Sequence, residues 1–582
     1  MKKIGKISLI AFLILLLLAL AIFAFVIKTF DPNDLKPRIT DFFQQKYQRK
    51  LDIPGNLKIS LFPVVHIESG PVRLMEKNGA EVFASVESAN IFLMLWPLID
   101  GRLEVNKLEL EAPLVNVKRF RDGTMNIDDF LSAGGGALPA FDIKSLKINR
   151  AAWLFDDQQT QWKVSNANLQ VGRLANGVPT DISFDGDVRL NQDDYNLHVG
   201  LKSPLLFDLN KQNFSLEKLT LSIKGMSKAV NKMNDITLNA TGAMAFDGAK
   251  KQAHFSEWQL QSQLANGEEK WNAEVSFAEA EQQGKNWRAK DISSRAEQQT
   301  SAYHLNTTLT LPEFSFIDAH MSGKEIKLVT QWTAKPEVKK SGAQKIAQTK
   351  PDAIESVLTI GALDDVNDTG EHVEIINLQA ANLEAKGLIN QAPMRLQAVG
   401  NVQIYNNNQI VTKDRLSLQF SYQPADFLLE GSIKTSAKII LEQGLYDLNS
   451  LTLDIKIAPK DFNKPLALNG SGAVKADLKH ENVKANLQGK LNGAKLDGKF
   501  GMAGFASPAY SFDIFLSLFN TVWLEGKAAS ANKPTDLPDL SWIKKLNANG
   551  VMRIGEFISA DKRATNVRID VKSDYVKSGS VK

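Results

Sequence analysis

The side chains best suited to chemistry are few in this chain and far apart. Its seven histidines are His66, His198, His254, His304, His320, His372 and His480. A metal site readable from sequence needs ligands a few residues apart, and no two of these are closer than His304 and His320. There is no cysteine, which removes disulfides, thiolate metal sites and cysteine nucleophiles. Gly470-Ser471-Gly472 is a small-residue turn rather than a nucleophile, because the wider G-x-S-x-G pattern is missing. Asp156-Asp157 and Asp364-Asp365 set carboxylates side by side, as acid–base or metal work would need. Both pairs read more simply as turn residues. No P-loop and no G-x-G-x-x-G occurs. The net charge of +4 balances 69 basic against 65 acidic residues, too evenly for a nucleic-acid surface. The expectation is a protein without catalytic, metal-binding or cofactor-binding residues, without a cofactor, without a nucleic-acid partner, and not an enzyme.

What the sequence does carry is hydrophobic pattern. Ile7 to Ile27 is an uninterrupted apolar run whose only polar side chain is Ser8. About 20 such residues cross a bilayer as a helix. Ile7, Leu13, Leu18, Phe23 and Ile27 mark this transmembrane segment. Lys2, Lys3 and Lys6 precede it, so residues 1–6 are expected in the cytoplasm and the rest outside. Ala19-Leu20-Ala21 would suit a cleaved signal peptide, but the apolar run continues beyond it, which favours a retained anchor.

Asp31 to Asp34 restarts the chain, with Asp34 as a helix cap. Leu35, Ile39, Phe42, Phe43 and Tyr47 then recur at helical spacing, and Lys46, Arg49 and Lys50 face the carboxyl end of the helix dipole. Two readings of this amphipathic helix stay open: packing on the first strands, or lying at a membrane surface.

Beyond it the pattern turns to period two, the mark of strands with one wet and one dry face. Leu57, Ile59 and Leu61 begin it, and Leu103 to Ala112 continue it with a phase slip at Asn106-Lys107. Leu146 and Ile148, Leu219 to Ile223, Leu416, Leu418 and Phe420, and Leu451, Leu453, Ile455 and Ile457 extend it. The last seven are the candidate lining of an apolar groove. Asn176-Gly177, Asp247-Gly248, Asn266-Gly267, Asn469-Gly470, Asn492-Gly493 and Asp497-Gly498 are turn signals. Phe512 to Phe519 is very apolar and reads as a strand buried on both faces or as a lipid-contacting one. An open sheet this long would leave its dry face in water. A sandwich, a barrel and a curled trough each solve that problem, and the alternation alone does not choose among them.

The ordered set DPNDLKP, LDIPGNLKISLFP, ANIFLMLWPLIDGRLEVNKLELEAPLVNVKR and DGTMNIDDF, over Asp31 to Phe130, resembles the amino-terminal region of the AsmA family. Ile127 departs from it, since relatives commonly have Trp there. The ending resembles the family's carboxyl-terminal motif, although relatives usually continue into further strands. The AsmA family is related to TamB-like and bridge-like lipid-transfer proteins. The resemblance implies a mostly β fold: a transmembrane helix and a short amphipathic helix, then a long rolled or curled β-sheet, a repeating β-groove with an apolar interior. Some 40 strands at ~4.8 Å each would reach at most ~190 Å.

The expected divisions are residues 1–6, the anchor 7–27, a first groove segment 31–131, groove body 141–333, a polar loop 334–352, further body 353–525, the carboxyl-terminal motif 540–572 and a tail 573–582. The implied function is a single-pass inner-membrane protein of a Gram-negative bacterium whose periplasmic bulk moves phospholipid toward the outer membrane. A scaffold or chaperone for outer-membrane protein assembly is the alternative. Membrane lipids are the implied partners, with outer-membrane proteins or a periplasmic or inner-membrane protein beside them.

Overall fold

The computed structural model describes residues 31–60, 64–77, 79–94, 104–129, 142–157, 160–190, 194–229, 232–335, 351–368, 373–405, 408–526, 547–559 and 562–572. The anchor residues Ile7, Leu13, Leu18, Phe23 and Ile27, most of the polar loop, the start of the carboxyl-terminal motif and the tail lie outside them. Among the described residues no helix is long and apolar enough to cross a membrane.

The described chain opens with a 3-10 turn, Pro32–Leu35, and a helix, Lys36–Tyr47. Asp34 does not cap the helix, which follows Leu35 without a side-chain cap; Asp31 caps the turn before it, where the Asn33 backbone N–H donates to Asp31 Oδ1 at 2.8 Å. The reason is local, because Pro32 starts the tight turn one residue after Asp31 and so fixes where the first unpaired N–H groups fall. Gln48, at φ 57°, closes the helix in the left-handed region.

Among the described residues all else of any length is strand, and contacts divide the chain into two compact units, residues 1–267 and 268–582. The first runs from Leu51–Asp52 to Gln252–Asn266. It starts with short strands, among which Leu146–Asp156 lies parallel to Val105–Glu111 and Leu114–Lys118. From there the long strands pair antiparallel, each with the next long one, while the short Leu174–Ala175 pairs with Asp142–Ile143. The phase slip expected at Asn106-Lys107 is real. Leu93 pairs with Val105 while Phe92 pairs with Lys107, leaving Asn106 as an extra residue.

The second unit runs from Glu269–Gln283 to Lys562–Val571. Its neighbours are antiparallel except Ala509–Asn520 and Ala548–Ser559, which are parallel. Among its described residues the pairing does not return to close a barrel. Each unit is a rolled sheet.

A repeated backbone device bends these strands. Lys218, Asp291, Glu325, Ala380 and Ser450 all sit inside strands with φ between 50° and 53°. At three of them the ladder shifts as well, between Leu216 and Leu219, Leu378 and Ala381, and Leu448 and Leu451. These are β-bulges, which insert one residue, bend the strand and increase its twist. Left-handed backbone disfavours any residue with a Cβ, so the surrounding ladder must enforce it.

Two sequence-based turns are corrected. Asn469-Gly470 lies within the strand Leu466–Asp477, and Asp497-Gly498 within Ala494–Ala503. Gly470-Ser471-Gly472 is therefore mid-strand, not a turn. Glycine is needed there for close approach: a Cβ on Gly472 would lie 1.9 Å from the Asn486 carbonyl oxygen, and one on Gly489 2.1 Å from that of Asn469. Asp364-Asp365 also falls inside a strand, Ala353–Asp368. Turns do form at Gly177, Gly267 and Gly493, all with positive φ.

Candidate functional site

Side chains of directly paired residues share one face of a sheet, so the register traces each face across many strands. In the first unit one row runs Ala89, Leu110, Ile148, Leu169, Phe184, Leu201, Leu221, Ala240, Leu260. Every member is apolar. One residue along, on the opposite face, the row is Lys147, Gln170, Ser183, Lys202, Thr220, Thr241, Gln259. The second unit repeats the contrast. Leu328, Leu358, Leu383, Ala398, Leu418, Ile433 and Leu453 form one row. Glu384, Gln397, Gln419, Ser432 and Asp454 form another on the opposite face.

All seven candidate lining residues fall on one dry face of the second unit. Leu418 pairs with Ile433 and through it with Leu453; Phe420 reaches Ile455 through Gly431. Leu416, Leu451 and Ile457 extend the same face along their strands. Leu416, Leu418 and Phe420 are half-buried, and Ile457 is 39% exposed.

Burial along the dry row changes where the chain covers it. From Leu328 to Ile433 the side chains are only half-buried, while Leu453 and, further along the row, Leu496, Leu516 and Ile554 are buried. Ala494, Leu496 and Leu516 form a core, with Trp523 and Phe519 packed on it. Trp523 belongs to a 3-10 turn, Thr521–Leu524, after which Gly526 bridges to Phe462 and the Asn463 N–H donates to the Glu525 carbonyl. The segment Thr521–Gly526 thus returns from the end of one strand to a turn several strands away. It acts as a strap over the dry face at that end. The Phe512–Phe519 stretch lies in the strand beneath it, with Leu516 buried and Phe512 paired to Phe500.

Hollows occur on both faces of the second unit. One of about 270 Å³ is on the dry face, lined by Val483, Ala485, Phe500, Met502, Phe512 and Ile514. A larger one of about 670 Å³ is on the wet face, where Glu355, Glu384, Lys386, Arg395, Gln397 and Asp454 line it. Its charges suit water, not acyl chains.

At the start of the first unit a buried charge network fixes the helix to the strands. Arg49 is 1% exposed. Its Nε donates to Asp129 Oδ2 at 2.7 Å, Nη2 to Asp129 Oδ1 at 3.1 Å and Nη1 to Glu76 Oε2 at 3.1 Å. Nη2 also donates to the Asn126 carbonyl, and the guanidinium lies 4.4 Å from the Phe83 ring centre. The Asn126 amide in turn donates to Glu76 Oε1 at 2.6 Å. Burial pushes the Asp129 carboxyl up, but the Arg49 guanidinium outweighs it, with help from Lys77, and holds it below the ordinary value. By sequence Arg49 stands with Lys46 and Lys50 as a partner of the helix dipole. The structure instead turns it inward after Gln48, and so explains Asn126 and Asp129 within DGTMNIDDF as its clamp. An isolated Arg at a helix end gives no sign of this, because its partners lie 27 and 80 residues away.

Four of the described histidines act as local partners. His198 bridges Asp187 at 3.0 Å and Asp185 at 2.9 Å, which raises its pKa, the Asp187 bond being the largest cause. His304 meets Glu297 at 2.7 Å and His480 meets Asp477 at 2.8 Å. His66 stacks on Phe92 with ring centres 4.3 Å apart.

Among known proteins, no curated sequence matches this chain. The sequence model of the AsmA family matches residues 1–502.

Proposed function

Since the chain belongs to the AsmA family, we propose that it is a membrane-anchored conduit for phospholipid, held in the inner membrane by Ile7–Ile27 with its β units in the periplasm. It supports the outer membrane by passing lipid toward it and makes or breaks no covalent bond. The observation that carries this reading is the dry row: apolar on strand after strand, half-buried on most of them, and buried at Ala240, at Leu453 and under the strap. A soluble protein seldom leaves so extensive an apolar face uncovered unless something binds there.

Acyl chains satisfy that face. Each CH₂ withheld from water contributes roughly 0.8 kcal/mol, so a chain of about sixteen carbons resists transfer through water by more than about 10 kcal/mol. A continuous dry face removes most of that barrier while the head group stays hydrated at the rim. Such a surface is passive, and net flow needs a gradient or a partner.

The test is photo-crosslinking in cells from single positions on the two faces, Leu418 and Leu453 against Gln419 and Asp454, with mass spectrometry of what is captured. Phospholipid on the first pair only is the expected outcome. Equal capture on both faces, or none, sinks the reading; capture of nascent outer-membrane proteins in place of lipid turns it toward an assembly scaffold.

A further inference from the structure

The helix Lys36–Tyr47 has no buried residue. Its apolar side consists of two adjacent rows at the i, i+4, i+7 spacing of one helical face. Lys36, Thr40, Phe43 and Tyr47 form the first, and all four are half-buried. Leu35, Ile39, Phe42 and Lys46 form the second, and this one looks outward: Ile39 is 37% exposed and Phe42 53%. Phe42 meets the rings of two neighbours on its own helix edge-on, at 5.8 Å from Phe43 and 6.4 Å from Tyr47. Lys46 lies within the apolar row with its ammonium 5.5 Å from the Phe42 ring and 5.3 Å from the Tyr47 ring. A lysine whose stem follows apolar surface and whose charge folds over aromatic rings suits the boundary between hydrocarbon and head groups.

Position along the chain says what covers this row. Only Lys28, Thr29 and Phe30 separate the apolar run ending at Ile27 from Asp31. At no more than about 3.6 Å per residue, Asp31 stays within roughly 15 Å of the end of that run. The helix begins one short turn later. Its start is also tied to the sheet, where the Leu57 N–H donates to Asn33 Oδ1 at 3.1 Å. Apart from the buried Arg49, the charges from Asp31 to Lys50 lean basic: Lys36, Arg38, Lys46 and Lys50 against Asp31, Asp34 and Asp41.

We infer that the Leu35–Ile39–Phe42–Lys46 row lies in the interfacial layer of the bilayer that Ile7–Ile27 crosses, and that it favours anionic phospholipid there. The helix is then a second membrane contact, and it sets the first strands at the bilayer surface instead of leaving them on a loose tether. This rests on the anchor in the proposed function but not on lipid occupying the dry face.

The absence of cysteine makes the test clean. Single cysteines replace Ile39, Phe42, Asp41 or Gln45 in the full chain, reconstituted in vesicles of phosphatidylcholine with or without phosphatidylglycerol, and each is labelled with an environment-sensitive fluorophore. Labels at 39 and 42 are expected to shift to the blue, to lose most of their emission to shallow spin-labelled lipid and to resist aqueous iodide. Labels at 41 and 45 show the reverse, and Lys46→Glu reduces the lipid quenching at 42 in phosphatidylglycerol vesicles. Iodide quenching equal at all four positions overturns the inference, as does protection of 39 and 42 from both quenchers, which would mean that protein covers the row. Alkaline carbonate extraction separates the two readings. A chain that stays with the vesicles while its labels report water keeps the anchor and loses the inference; a chain that washes off loses both.

Discussion

Replacing Arg49 by Met keeps the length and much of the apolar stem of the side chain while removing its charge. The structure sets the cost. The side chains of Asp129 and Glu76 are 9% and 12% exposed, and in the variant they lose their shared buried cation, with the more exposed Lys77 still 3.9 Å from Asp129. The Asn126 carbonyl loses a donor as well. Breaking a buried ion pair from one side costs about 3–5 kcal/mol, because the partner charge stays buried and uncompensated. That is a large share of the roughly 5–15 kcal/mol that holds a typical domain together, so local release of the helix from the strands is expected before global unfolding. Hydrogen exchange of the purified full chain is the assay. Amides of residues 48–52, 74–77 and 124–129 are expected to exchange roughly two to three and a half orders of magnitude faster, since every 1.4 kcal/mol is about tenfold. Amides of Leu451–Ile457 should not change. A rise below about tenfold at the clamp would refute the reasoning and show that water reaches these carboxylates. Adding Asp129→Leu to Arg49→Met removes one orphaned charge and should restore part of the loss. The clamp also predicts a pH dependence. The folded pKa of Asp129 is depressed, so its contribution is complete above the ordinary aspartate value near 3.9 and fades as the pH falls through the lower folded value.

Three further outcomes follow from the same geometry. Ala380→Gly relieves left-handed backbone at φ 51°, and a net gain of about 0.5–1 kcal/mol should appear in denaturant unfolding once the greater freedom of the unfolded chain is deducted. Leu418→Asp should strip most phospholipid from the purified protein while Gln419→Asp leaves it, as lipid mass spectrometry would read directly. His198 has a raised folded pKa, so its bridge to Asp185 and Asp187 stabilises fully below the ordinary histidine value near 6.5 and is lost as the pH rises through the higher folded value. Histidine hydrogen–deuterium exchange against pH should give a midpoint above that of the unfolded chain.

Some of what the sequence hid was written in a form easy to overlook. The bulges fall on positions without glycine, so turn chemistry gives no sign of them. Their mark is a step of three between apolar residues that otherwise alternate: Leu216-Glu217-Lys218-Leu219 and Leu448-Asn449-Ser450-Leu451. The slip at Asn106-Lys107 was readable for this same reason. Gly470 and Gly498 misled because Asn-Gly and Asp-Gly favour hairpin turns, whereas glycine in these strands answers to the backbone beside it.

What the sequence determined by itself is what the backbone repeats locally. The pleat turns alternate side chains to opposite faces, so period two assigns Leu416, Leu418 and Phe420 to one face without reference to any other strand. A long apolar run and a helical stripe are local in the same way. Only the tertiary structure decided what those faces meet. Continuity of the dry row depends on the register of each strand against the next, the burial of Arg49 on carboxylates distant in the chain, and the covering of Leu496 and Leu516 on a strap that returns from Thr521. These are non-local contacts, and no periodicity within a segment encodes its partner.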